Sequence, residues 1–164
     1  MEGMRLQEYQ LKAIDSIRQA IEKGQKQIVV DMPVGCGKGV VVIKTAEIIS
    51  NLRSGRILIL TSTISIKEQT ENLLRSYVSV TEGSNSRILV ETIQKFIKNQ
   101  SKNIVEYESV IFYDIPITER IYSTFYDEKK IIVVFLNSGD SAVPDLPVEL
   151  RDRTNGRTAS SVAG

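Results

Sequence analysis

Five short stretches of this chain are apolar almost without a break: QIVVDM (27–32), RILIL (56–60), ILV (88–90), VIF (110–112) and IIVVFL (131–136). They are rich in β-branched residues and do not alternate with polar ones. A strand with one wet face alternates; a strand buried on both faces does not, and strands of that kind belong to parallel sheets. The segments between them read as helices. Ile14, Ile17 and Ile21 recur at helical spacing with Ala13 and Ala20 beside them, and Gly24 follows as a C-cap. Further helices are expected over 38–53, 65–77, 117–126 and, briefly, from Ile93. The run Val40–Ile43 is a weak helix former, so burial has to hold it. Strands alternating with helices imply an α/β fold, a mainly parallel sheet covered on both faces in three layers. Residues 139–164 turn to Gly, Asp, Ser and Pro and end in RDRTNGRTASSVAG, which reads as a flexible tail or linker after a domain over 1–138.

The chain has 164 residues, enough for one domain with a proper core. No apolar run is long enough to span a membrane, and MEGMRLQEYQ has no signal-peptide core, so a cytoplasmic location is expected. One cysteine, Cys36, excludes an internal disulfide, and the absence of histidine argues against a transition-metal site. A net charge of +1 leaves no global electrostatic footprint for nucleic acid. Any such contact would rest on local groups or on a partner domain.

The chemistry concentrates in MPVGCGKG, residues 32–39. Gly35, Gly37 and Lys38 match the phosphate-binding pattern G-x-x-x-x-G-K-[ST] only in part, and the final hydroxyl residue is replaced by Gly39. The pattern requires a strand before it and a helix after it, and both are expected here. Glycines let backbone N–H groups face the phosphates, and the helix N-terminus adds partial positive charge. Pro33, Val34, Gly35, Cys36, Gly37, Lys38 and Gly39 are therefore candidate nucleotide-binding residues, with Lys38 reaching the phosphates. The plainer reading is a glycine-rich turn that binds nothing.

LQEYQLKAIDSI followed by QIVVDMPVGCGKGVVVIKTAEII resembles the first RecA-like domain of superfamily-two helicases. The likeness is greatest to the DEAD/DEAH-like branch that holds the restriction-enzyme R (Res) subunits. The resemblance covers roughly residues 5–138. It implies a P-loop NTPase fold, ATP and Mg²⁺ as cofactors, DNA as the nucleic-acid partner, and a second RecA-like domain or partner subunit. It implies adenine contact by Gln10, and contact with the nucleic-acid backbone by Thr61, Ser62 and Thr63 and by Thr92 in ILVETIQKFIK. Hydroxyls at helix starts suit phosphate, but they suit N-capping equally well.

Three of the family's motifs are altered. Gly39 stands where Thr or Ser holds Mg²⁺. In VIFYDIP (110–116) the Asp–Glu pair is disrupted. Aligned without gaps, Tyr113 and Asp114 replace it and Pro116 replaces the last residue; shifted by one, Asp114 keeps the Mg²⁺-linked role and Ile115 replaces the glutamate. Asp114 is then the only candidate catalytic or metal-linked carboxylate. FLNSG (135–139) replaces the stretch that couples ATP to DNA. Two readings follow: a nucleotide- and DNA-binding helicase-type domain with impaired or absent hydrolysis, as in a fragment of a restriction or repair ATPase, or a pseudo-ATPase serving as an interaction or regulatory module. A small-molecule kinase is disfavoured, since no lid or acceptor segment is evident.

Overall fold

The computed structural model describes residues 7–32, 37–77, 87–99, 107–115, 119–127 and 129–137. Helix α1 (Glu8–Glu22) leads into β1 (Gln27–Met32), α2 (Lys38–Leu52), β2 (Arg56–Thr61), α3 (Ile64–Tyr77), β3 (Ile88–Thr92), α4 (Ile93–Lys98), β4 (Tyr107–Tyr113), α5 (Glu119–Phe125) and β5 (Ile131–Asn137). The strands make one sheet in the order β1-β5-β4-β2-β3, and all four pairings are parallel. This is the α/β architecture the apolar runs imply. The expected tail, 139–164, lies outside the described residues.

Strand order explains the three layers. From β1 to β2 to β3 the chain moves across the sheet one way, and from β3 to β4 to β5 it moves back. Right-handed crossovers then place the outgoing helices on one face and the returning helices on the other. Accordingly α1, α2 and α3 bury Ile14, Ile17, Val41, Ile43 and Leu74 against Val30, Ile59, Ile111 and Val133. On the opposite face α4 and α5 bury Ile93, Tyr122 and Phe125 against Val29, Leu58, Leu60, Phe112 and Val134. In β1, β2, β4 and β5 neighbouring residues thus enter different cores, which is why those runs are continuously apolar; β3, at the sheet edge, buries Ile88 and Val90 on one face and leaves Leu89 exposed on the other.

The α2 helix is buried nearly all round, from Lys38 through Ser50. That burial between α1 and α3 is what holds the Val40–Ile43 run helical. The α1 helix ends at Gly24, whose φ of 89° is one an L side chain rarely adopts. Gly24 N–H donates to the Ile21 carbonyl and Gln25 N–H to that of Ala20, closing the helix in a Schellman motif.

All five strands run the same way, so Met32, Asn137, Tyr113, Thr61 and Thr92 end on one edge of the sheet. In open α/β sheets that carboxyl edge is where ligands bind.

Candidate functional site

Helix α2 begins at this edge. Gly37 is its N-cap, in the left-handed region at φ 75°, ψ 37°, with no side chain capping the helix. Lys38 occupies the first turn and is almost fully buried, at 6% exposure. Its Nζ lies 2.6 Å from Asp114 Oδ1, one residue past the end of β4. Asp114 itself has a φ of 57°, unusual for a residue with a side chain, while its N–H donates to the Phe135 carbonyl at 3.3 Å. Strand β5 lies between β1 and β4, so the Lys38–Asp114 pair bridges two elements not adjacent in the sheet.

Gln10 reaches the same point from α1. It is buried, and its carboxamide is used at both ends. Oε1 accepts from the Gln7 N–H at 2.7 Å as half of a capping box, and Nε2 donates to the Gly37 carbonyl at 3.1 Å. A Cβ at position 37 would collide with Gln10 Nε2. Gly37 is therefore fixed as glycine twice over, by its backbone angle and by Gln10. The candidates Pro33, Val34, Gly35 and Cys36 lie outside the described residues.

Gly39 has an ordinary helical backbone; what it lacks is space. A Cβ there would stand 2.9 Å from Leu73 Cδ1 on α3 and 3.2 Å from the Tyr113 hydroxyl at the end of β4. Sequence reasoning noted the missing hydroxyl at position 39 but not that Leu73 and Tyr113 crowd the place where it would be.

Further along the edge, a groove of about 850 Å³ opens between the starts of α3 and α4. Ser62, Thr63 and Thr92 line it together with Lys67, Lys95 and Lys98. Thr63 Oγ1 accepts from the Ile66 N–H at 3.1 Å, and Thr92 Oγ1 accepts from the Lys95 N–H at 3.3 Å. Both hydroxyls thus cap helices. Thr61 is fully buried beneath the groove, donating to the Thr63 carbonyl at 3.1 Å. Lys67 pairs with Glu71 at 3.3 Å and Lys95 with Glu91 at 3.7 Å, while Lys98 is exposed and has no ion-pair partner among the described residues. The lysines were not candidates from sequence. They come together because α3 and α4 follow adjacent strands, β2 and β3, which the linear order alone does not show.

Asp31 also escaped notice. It is the lone charge inside the β1 run, and its Oδ1 is buried without a hydrogen-bond partner among the described residues.

Residues 3–138 match the family described as "Type III restriction enzyme, res subunit". The chain belongs to that family. The fold agrees with solved helicase domains. The chain resembles the UvsW helicase from bacteriophage T4 with a TM-score of 0.64 at 15% identity, covering 83% of this chain and 53% of that one. It spans about half the length of that helicase. It also resembles the C-terminal domain of a possible DNA helicase from Lactobacillus plantarum WCFS1, with a TM-score of 0.52 at 11% identity over 89% of this chain and 95% of that one. At these identities the likeness is one of fold. No curated protein matches the chain in sequence. Among the described residues no helix is long and apolar enough to cross a membrane.

The family implies ATP and Mg²⁺. The described residues fit the nucleotide better than the metal. Lys38 and the start of α2 can meet phosphate. P-loop proteins hold Mg²⁺ with the hydroxyl after the lysine and a carboxylate at a neighbouring strand end. Here Gly39 has no hydroxyl and a side chain there would press on Leu73 and Tyr113, Tyr113 ends the strand, and Asp114 already engages Lys38. Among the described residues no three Asp, Glu, His or Cys side chains gather to hold a metal ion.

Proposed function

We propose that this chain is a nucleotide- and DNA-binding helicase-type domain in which ATP hydrolysis is impaired or absent. What supports the reading most is the convergence of Gln10, Gly37, Lys38 and Asp114 from three separate elements at one point of the carboxyl edge. Gln10 steadies the N-cap, Lys38 is the cation for the phosphates, and Gln10 is also the candidate for adenine contact. Pro33 to Cys36 complete the proposed loop by sequence.

Phosphoryl transfer depends on positioning and charge stabilisation around the transferred group. The described residues offer one cation and one carboxylate, and these two neutralise each other. Asp114 is the proposed remnant of the catalytic pair; alone it lacks a second acid to orient water. Nucleic acid is assigned to the groove, with Ser62, Thr63 and Thr92 near the backbone and the lysines supplying charge. A second RecA-like domain or partner subunit would complete both the catalytic centre and the DNA track.

A second reading has one observation in its favour. Lys38 is already satisfied by Asp114, as a domain that no longer binds nucleotide and serves as an interaction module would leave it. Titrating the 164-residue chain with ADP and ATP by calorimetry separates the two. Saturable binding that Lys38→Ala weakens supports the nucleotide site. Absence of binding by either nucleotide supports the interaction module.

A further inference from the structure

We infer that the nucleotide site of this chain takes adenine nucleotide without a divalent cation, and that Tyr113 and Leu73 enforce this by occupying the space beside Gly39. The inference rests on the nucleotide reading above and adds to it the form in which the ligand is bound.

Two positions that hold Mg²⁺ in P-loop proteins are altered here, and they touch. The hydroxyl-bearing residue and the strand-end carboxylate serve one ion, so they must face each other. Gly39 and Tyr113 do face each other: the Tyr113 hydroxyl stands 3.2 Å from where a Cβ on residue 39 would be. This contact favours the gapless alignment, in which Tyr113 replaces the aspartate. A single methyl at 39 would need only the end of Leu73 to turn aside. Threonine adds two more heavy atoms to that crowded position, beside the hydroxyl end of Tyr113. The two altered residues are therefore coupled sterically in one direction: a side chain added at 39 presses on Tyr113, while shortening Tyr113 frees space beside Gly39.

A neutral phenol supplies neither the charge nor the carboxylate oxygens that Mg²⁺ prefers. The carboxylate that remains, Asp114, lies 2.6 Å from Lys38 Nζ. Recognition of phosphate then falls to Lys38 and the helix start, both of which attract the bare anion more strongly than its metal complex. Mg²⁺ shields the phosphates from Lys38 and gains no protein ligand in return.

The test is calorimetric titration of the full chain with ADP and ATP at equal ionic strength, once in EDTA and once in excess Mg²⁺. Equal dissociation constants, or tighter binding in EDTA, to within about threefold, are expected. The paired variant Gly39→Thr/Tyr113→Asp, checked for folding by circular dichroism, should gain a preference for Mg²⁺ of about tenfold or more. Parent binding about tenfold tighter in Mg²⁺ overturns the inference while leaving the nucleotide site in place. A folded paired variant with no metal preference overturns the role given to Gly39 and Tyr113. No binding in either buffer overturns the nucleotide site itself.

Discussion

Lys38 and Asp114 form an ion pair at 2.6 Å that joins the first turn of α2 to the end of β4, with strand β5 lying between the two parent strands. The lysine is 6% exposed and the aspartate 25%. The same lysine is the proposed phosphate ligand, so carboxylate and nucleotide compete for one cation. Asp114→Asn should therefore act in opposite directions on stability and on binding. Lys38 loses a charged partner, which costs about 1–3 kcal/mol, and the midpoint of urea unfolding should fall. Loss of the competing negative charge should tighten ADP binding several-fold. Lys38→Ala should weaken ADP binding by about 10- to 100-fold, given roughly 1.5–3 kcal/mol for hydrogen bonds to charged groups. Weaker ADP binding by Asp114→Asn would show that the aspartate positions Lys38 rather than competes for it.

Gln10 and Gly37 are locked together. Gly37→Ala places a Cβ in the left-handed region and against Gln10 Nε2, so it should cost more than the ~1–2 kcal/mol of the backbone strain alone. Gln10→Ala removes a capping-box hydrogen bond and the tie to the Gly37 carbonyl, at about 1–2 kcal/mol. In the double variant the small side chain at position 10 makes room for the new methyl. The combined loss should fall short of the sum by about 0.5–2 kcal/mol, measured as a double-mutant cycle in urea. Strict additivity would mean that the two residues do not meet in solution.

The groove makes a separate, electrostatic prediction. Lys67 and Lys98 come from different helices and line one groove. If a single strand of DNA lies there, each lysine that meets a phosphate releases counterions. Lys67→Gln and Lys98→Gln should each reduce the slope of log K against log salt by about 0.7 for single-stranded DNA. Fluorescence anisotropy with a labelled oligonucleotide over a salt series measures it. Unchanged slopes in both variants would remove nucleic acid from this groove.

Much of this architecture was legible in the residues, for a physical reason. The runs of β1, β2, β4 and β5 feed two cores, so their composition announces a buried parallel strand regardless of what lies beside it; β3, at the sheet edge, buries Ile88 and Val90 on one face only and leaves Leu89 exposed. Gly24 and the Ile14–Ile17–Ile21 spacing give the end and the buried face of α1 from local rules. The site was less legible because it depends on strand order. Nothing local in NLL at 72–74 says that Leu73 packs beside Gly39, or that Tyr113, seventy-four residues on, closes the other side. Thr63 suits either capping or phosphate on sequence, while Thr92 is tied to nucleic acid by resemblance alone; in the fold both hydroxyls cap helices while still lining the groove. Lys67, Lys95 and Lys98 carry no local signal in the sequence; they line one groove because β2 and β3 are neighbours.

In the proposed reading the chain holds nucleotide and does not turn it over. The most direct test is to incubate excess 164-residue chain with γ-labelled ATP, with and without single-stranded DNA and Mg²⁺, and to measure both bound nucleotide and released phosphate. ATP is expected bound and recovered uncleaved, with phosphate release at background in every condition and binding lost in Lys38→Ala. DNA-stimulated phosphate release by the unmodified chain, abolished by Lys38→Ala, would contradict that reading and make this domain a working ATPase.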